Sequence, residues 1–231
     1  MDTVAILIDG GFYIRKAKAL WGDRAPQESA DILHRYACAH LFHAENGVTV
    51  RDKLYRIFYY DCPPMDRNVY HPLLQKDKSL KMEPIYSWMT DFQEALRSKR
   101  KVALRLGRLS DYGIGYTLSM DIIKKLCSGK MTIAELREQD FTLNIRQKGV
   151  DMRIGLDIAS MAYKKQVNKI ILIAGDSDFV PAAKLARREG VDFVLNPMGN
   201  KLPPDLDEHI DGITTPHKFD PDKKQQRTKQ P

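Results

Sequence analysis

An open α/β fold, with a mainly parallel central sheet flanked by helices, is what this 231-residue chain predicts. Three observations carry the prediction. Short, wholly apolar runs recur along the chain, as expected for strands covered on both faces. Helical periodicity fills the intervals between them, and alternation of that kind implies parallel strands joined by crossover helices. The first strand and a later one each stop at an Asp–Gly or Gly–Asp turn. A composition of 43% apolar and 9% aromatic residues provides a real core, and with 14 Gly and 12 Pro it excludes collagen-like and low-complexity chains.

The first strand is Val4-Ala-Ile-Leu-Ile8, and Asp9-Gly10-Gly11 is its closing turn. Residues 12–20 follow as a helix. Ala30, Leu33, Ala37 and Leu41 recur at three- and four-residue spacing and predict a helix over 28–43. Residues 54–60 form the next strand, closed by Asp61-Cys62-Pro63-Pro64. From about 62 to 147 the periodicity weakens. The first half of that stretch reads as helical, most clearly over 91–100. Residues 102–106 and 141–146 read as strands, and the Gly- and Tyr-rich 110–119 as a loop. The stretch is taken as an elaboration within a single domain spanning 1–215.

Regular alternation returns at Lys148-Gly149-Val150-Asp151, which opens a helix over 152–166 with Ile154, Ile158, Met161 and Ala162 facing inward. Residues 170–174 are a bare apolar strand ending in Gly175-Asp176-Ser177-Asp178. A helix over 179–189 carries Pro181 in its first turn, where a missing N–H costs little. Residues 191–195 are the next strand. The Lys- and Gln-dense segment 216–231 predicts a disordered basic tail.

Lys plus Arg total 37 against 30 acids, a net +7, of which residues 217–231 supply +3. A basic surface suits phosphate-bearing partners, although many basic proteins bind no nucleic acid. Arg97, Lys99, Arg100, Lys101, Arg105 and Arg108 place six cations within twelve residues. Tyr112 and Tyr116 follow them, placed to stack on unpaired bases. The bland alternative is a solvated helix face with packed tyrosines. No run approaches the roughly 20 apolar residues of a spanning helix, the N-terminus lacks the form of a signal peptide, and three scattered cysteines point to reduced thiols. The expectation is a soluble, cytoplasmic protein. His34, Cys38, His40 and His43 fall short of zinc-site spacing, and no G-x-G-x-x-G follows the first strand.

Acids at strand ends carry the chemistry. In an open parallel sheet, ligands bind outside the carboxyl ends of the strands, where residues distant in sequence converge. Asp9, Asp176 and Asp178 lie at such ends, and Asp151 opens a helix. Each acid alone is explained as a helix cap or turn former. Together they would repel, and a divalent cation relieves that conflict. Oxygen-only donors favour Mg²⁺ or Mn²⁺ over zinc.

Ile6-Leu-Ile-Asp9-Gly-Gly, Lys148-Gly-Val-Asp151 and Ile173-Ala-Gly-Asp176-Ser-Asp178-Phe, in that order, resemble the NYN domain of the PIN-like nuclease superfamily, most closely its bacterial LabA-type members. The likeness covers about 4–20, 54–61 and 148–212. It implies a Rossmann-like, PIN-like fold and metal-dependent hydrolysis of RNA, with Asp9, Asp151, Asp176 and Asp178 as catalytic and metal-binding acids. Asp9 and Asp176 are the expected direct ligands, and Asp151 and Asp178 are expected to bind the metal through water or to orient the nucleophile. Ser177, Arg105, Arg108 and Lys148 are the expected contacts to a single-stranded RNA. Asp157 also fits the family's helix pattern. It lies about 240° around from Asp151 and is assigned to Arg153 as an i−4 pair. Many members carry Asn three residues after the first Asp, where this chain has Phe12.

Two rivals stand beside the nuclease. A haloacid-dehalogenase-type phosphatase needs an Asp two residues after its nucleophile, and that position is Gly11. A PIN-like module that binds RNA or a protein without cutting is the other. The sequence leaves self-association open, with the central region as a candidate interface.

Overall fold

The computed structural model describes residues 1–110, 112–216 and 219–223. Contacts divide the chain into two compact units. The first contains Met1–Asp61, Asp91–Leu106 and the described residues from Val150 onward; the second contains Cys62–Thr90 and Gly107–Gly149. The elaboration expected at 62–147 is thus divided, because 91–106 is built into the first unit.

The first unit holds a six-stranded sheet. Its strands are β1 (Thr3–Asp9), β2 (Lys53–Asp61), β3 (Val102–Leu106), β4 (Lys169–Ile173), β5 (Asp192–Asn196) and β6 (Gly212–Ile213). They lie in the order β3-β2-β1-β4-β5-β6, and every pairing is parallel. This is the doubly wound order, whose direction reverses between β1 and β4. Val4 to Ile8 and Ile170 to Ile173 are buried throughout, so the wholly apolar runs do mark strands covered on both faces.

The helices of this unit are α1 (Gly10–Trp21), α2 (Pro26–Ala39), the portion of α3 (Pro84–Arg97) from Asp91 onward, α4 (Val150–Tyr163), α5 (Val180–Arg188) and the single turn α6 (Pro204–Asp207). The predicted inward stripe of α4, Ile154, Ile158, Met161 and Ala162, is buried, and Pro181 sits in the first turn of α5. The helix predicted over 28–43 stops at Ala39. His43 instead belongs to a hairpin pairing Phe42–Glu45 with Val48–Arg51. Its residues are mostly exposed, so no inward apolar stripe continues the helix there.

The second unit corrects two expectations. The stretch before α3, expected to be helical, pairs Asn68–His71 with Lys76–Ser79 as an antiparallel ribbon. Within the expected loop, Gly115–Leu118 is a strand paired with Phe141–Asn144. The buried apolar cluster of this unit is Met65, Val69 and Leu80, with Leu109, Ile114, Tyr116, Leu143 and Ile145 packed around it. So small a core leaves strands that are mostly polar along their length, and period alone does not reveal them.

The basic tail expected to be disordered over 216–231 is docked at Phe219–Lys223. Phe219 packs on Trp21 and Tyr36, with ring centroids at 5.4 and 5.0 Å. The Arg35 guanidinium donates to the carbonyls of Asp220, Pro221 and Lys223, and Arg24 pairs with Asp222 at 2.8 Å. His217, Lys218 and 224–231 lie outside the described residues.

Candidate active site

Asp9 is the last residue of β1 and caps α1, its Oδ1 accepting from Phe12 N at 3.1 Å. Asp176 follows β4 and caps a short 3-10 turn, Ser177–Phe179, by accepting from Asp178 N at 3.2 Å. Capping therefore falls to Asp9 and Asp176. Asp178 lies within the turn that Asp176 caps, and Asp151 lies in the first turn of α4. Because β1 and β4 are neighbours at the point where strand order reverses, the Asp9 and Asp176 turns flank the crevice where such sheets bind ligands.

Two glycines let these turns close up. A Cβ on Gly10 would lie 2.5 Å from the Tyr59 ring and 2.7 Å from the Tyr60 carbonyl oxygen. A Cβ on Gly175 would lie 2.6 Å from Phe12 Cε2. Phe12, which stands where many family members carry Asn, is thus buried against the second acidic turn and joins the two strand ends by packing.

The acids feel one another. The Asp9 carboxyl is held above its ordinary range, chiefly by burial; Asp151 and Asp61 add repulsion, against the Phe12 N–H and Arg15, which lower it. Asp151 is raised by partial burial and then by Asp176 and Asp178. The four predicted acids therefore form one electrostatically linked row. Asp61 joins it. This residue ends β2, is 3% exposed and accepts from the Tyr59 hydroxyl at 2.8 Å. The signal for it was its position, since it closes the second strand as Asp9 closes the first.

Among the described residues, no three His, Cys, Asp or Glu side chains are close enough together to hold a metal ion. The donor chemistry still fits a hard cation. Every donor is a carboxylate oxygen, two carboxyls are raised by burial first and then by neighbouring negative charge, and Mg²⁺ characteristically keeps several waters and binds through one or two carboxylates. His34, Cys38, His40 and His43 do not make a zinc site. His40 is buried between the Tyr36 carbonyl and Asn196, and His43 lies 3.6 Å from Asp52.

The expected substrate contacts separate. Ser177 opens the turn after Asp176. Arg108 and Lys148 sit directly opposite one another on a two-stranded ribbon of the second unit. Arg105, in β3, bonds Asp157 at 3.0 Å and lies over the Phe58 ring at 5.2 Å. That pairing corrects the assignment of Asp157 to Arg153. Asp157 Oδ2 accepts from Arg105 Nε and from the Tyr60 hydroxyl, so sheet contacts displace the local helical pair.

A doubly wound α/β unit with acids across its switch point is the architecture of a PIN-like fold. The NYN domain family model matches residues 88–208, which include Asp151, Asp157, Asp176 and Asp178 and exclude Asp9. The chain belongs to the NYN domain family, a branch of the PIN-like nuclease superfamily whose members generally depend on divalent metals and act on RNA. No curated protein matches the chain. Among solved structures it is similar to a protein of unknown function, VPA0982, from Vibrio parahaemolyticus. That match has 12% identity and a TM-score of 0.44, and covers 92% of this chain and 91% of that one. Among the described residues, no helix is long and apolar enough to cross a membrane.

Proposed function

We propose that this protein is a cytoplasmic, metal-dependent endoribonuclease of the LabA-type branch, cutting phosphodiester bonds in single-stranded RNA. The observation that carries the reading is the row of Asp9, Asp151, Asp176 and Asp178 near the switch point, with Asp9 and Asp151 raised first by burial and then by neighbouring carboxylates. Asp9 and Asp176 would hold Mg²⁺ or Mn²⁺, with Asp151 and Asp178 reaching it through water. A cation held there would supply a water of lowered pKa and polarisation of the phosphoryl oxygen. Asp9 and Asp176 are set by their capping bonds, which fix both carboxylates before substrate arrives. Asp151 and Asp178 are exposed and would orient the attacking water. Ser177 would supply a hydroxyl beside Asp176 and Arg105 positive charge for the backbone of the RNA; on the second unit, Arg108 and Lys148 are a separate pair of candidate phosphate contacts.

The burial of Phe12 favours a second reading, because it removes a polar group from the site. In that reading the unit binds RNA without cutting it. Incubating the full chain with end-labelled, mixed-sequence single-stranded RNA separates the two. Cutting with Mn²⁺ or Mg²⁺ that stops with chelator supports the nuclease. Bound but intact RNA overturns it in favour of the binding module.

A further inference from the structure

Asp9, Tyr60 and Arg105 are register partners on β1, β2 and β3. Register partners on adjacent parallel strands project to the same face, so the three side chains form a row along the carboxyl edge of the sheet. Strand spacing puts Arg105 about 10 Å from Asp9 along that row. Asp157, from α4, reaches down onto the same face. Its Oδ2 accepts from the Tyr60 hydroxyl at 2.8 Å and from Arg105 Nε at 3.0 Å. Phe58, two residues before Tyr60 and therefore on that face as well, lies under the guanidinium at 5.2 Å. Arg105 is thus held by its Nε edge and its flat face. Its side chain is nevertheless 45% exposed, and among the described residues its two terminal amino groups have no hydrogen-bond partner. A guanidinium fixed in this way presents a fork matched to phosphate.

We propose that Arg105 is a pre-set anchor for a phosphate neighbouring the one at Asp9, and that Asp157 and Tyr60 are positioning residues that aim it. The inference rests on reading the acidic row as the place where RNA is cut. An RNA strand whose reacting phosphate lies at Asp9 runs across β2 toward β3 and meets Arg105 at a neighbouring phosphate. That contact sets the register of the strand without reading its sequence.

The test uses the full chain and a short fluorescein-labelled single-stranded oligouridylate. Binding is followed by anisotropy in chelator across a salt series, and cleavage with Mn²⁺ gives KM and kcat separately. Arg105→Ala should raise KM roughly tenfold with kcat within about twofold, and flatten the salt slope by about 0.7, the value of one single-strand phosphate contact. Arg105→Lys should recover the charge but only part of the affinity. Asp157→Asn is the decisive variant. Removing a negative charge beside RNA should tighten binding if Asp157 merely lies there, whereas a positioning residue gives weaker binding and a higher KM. Tyr60→Phe, which deletes only the hydroxyl, repeats the test should Asp157→Asn fail to fold. Unchanged KM in Arg105→Ala, or tighter binding in Asp157→Asn, overturns the inference while leaving the nuclease reading intact. If wild type binds without cutting, the nuclease reading fails and the anisotropy alone decides the anchor. If it neither binds nor cuts, both fall.

Discussion

Phe12 Cε2 lies where it would come within 2.6 Å of a Cβ on Gly175, so the turn after β1 and the turn after β4 are packed against each other through a ring and a missing side chain. The acids on either side of that contact, Asp9 and Asp176, inherit their relative placement from it. Gly175→Ala should therefore cost roughly 1–3 kcal/mol, the usual price of overpacking a filled site. Phe12→Leu should recover part of that loss in the double variant, since the ring is what the new methyl meets. A double-mutant cycle by denaturant unfolding measures the coupling. Strictly additive effects would show that the two turns are independent.

Gly10→Ala should be the worse substitution. Its Cβ meets the backbone oxygen of Tyr60 at 2.7 Å as well as the Tyr59 ring, and a sheet carbonyl cannot swing aside as a side chain can. Midpoint shifts of the two glycine variants, compared at equal m-value, check the order.

Asp9 gives a prediction with a defined sign. Its carboxyl lies above the ordinary 3.8, because of burial first and then the charges of Asp151 and Asp61. The native state thus holds this proton more tightly than the unfolded chain does. Its contribution to stability is fully present below the unfolded value and is lost as pH rises through the raised one. At neutral pH the ionised carboxylate is a burden. Asp9→Asn keeps an oxygen to cap Phe12 N and should melt higher at neutral pH, at ~2–4 °C per kcal/mol gained for a chain of this size. The advantage should vanish below pH 3.8. Mn²⁺ should close the gap at neutral pH by stabilising wild type alone. Melting scans across pH, with and without the ion, decide it.

His40 titrates the other way. Burial depresses it from 6.5 to about 4, against the Tyr36 and Ala37 carbonyl bonds that raise it. Its Nδ1 faces the Tyr36 carbonyl at 2.9 Å and its Nε2 faces Asn196 Nδ2 at 2.6 Å, an arrangement that suits the neutral ring. The stability it contributes is present above pH 6.5 and is lost as pH falls toward about 4, by up to about 1.4 kcal/mol per pH unit. Urea midpoints between those limits should fall more steeply for wild type than for His40→Gln.

Phe219→Ala should destabilise the first unit by about 1–2 kcal/mol, since it removes aromatic contacts with Trp21 and Tyr36 and the cation–π contact with Arg35 at 5.7 Å. Trp21 emission should shift at the same time. An unchanged melting point would mean that the docked segment adds nothing to the fold.

The parallel sheet was legible because its strands are buried on both faces, and a bare run such as Ile170 to Ile173 has few other readings. The positions of Asp9, Asp151 and Asp176 at a strand end, a helix start and a turn were legible because such boundaries are visible in sequence. Asp61 was passed over although it ends a strand in the same way, because nothing local distinguishes a site acid from a turn former. The partner of Asp157 was beyond reach, since Tyr60 and Arg105 are brought to it by sheet register and not by helical spacing. The ribbons of the second unit were missed because the buried apolar cluster beside them holds three residues. Docking of Phe219 was hidden by the charged sequence around it.

The most direct test of the account is Mn²⁺-dependent cleavage of single-stranded RNA by wild type beside Asp9→Asn and Asp176→Asn, with RNA binding measured on the same samples. The account predicts cutting by wild type, at least a hundredfold loss in each variant, and binding retained in all three. Equal cutting by either folded variant would contradict the assignment of the acidic row as the site of chemistry.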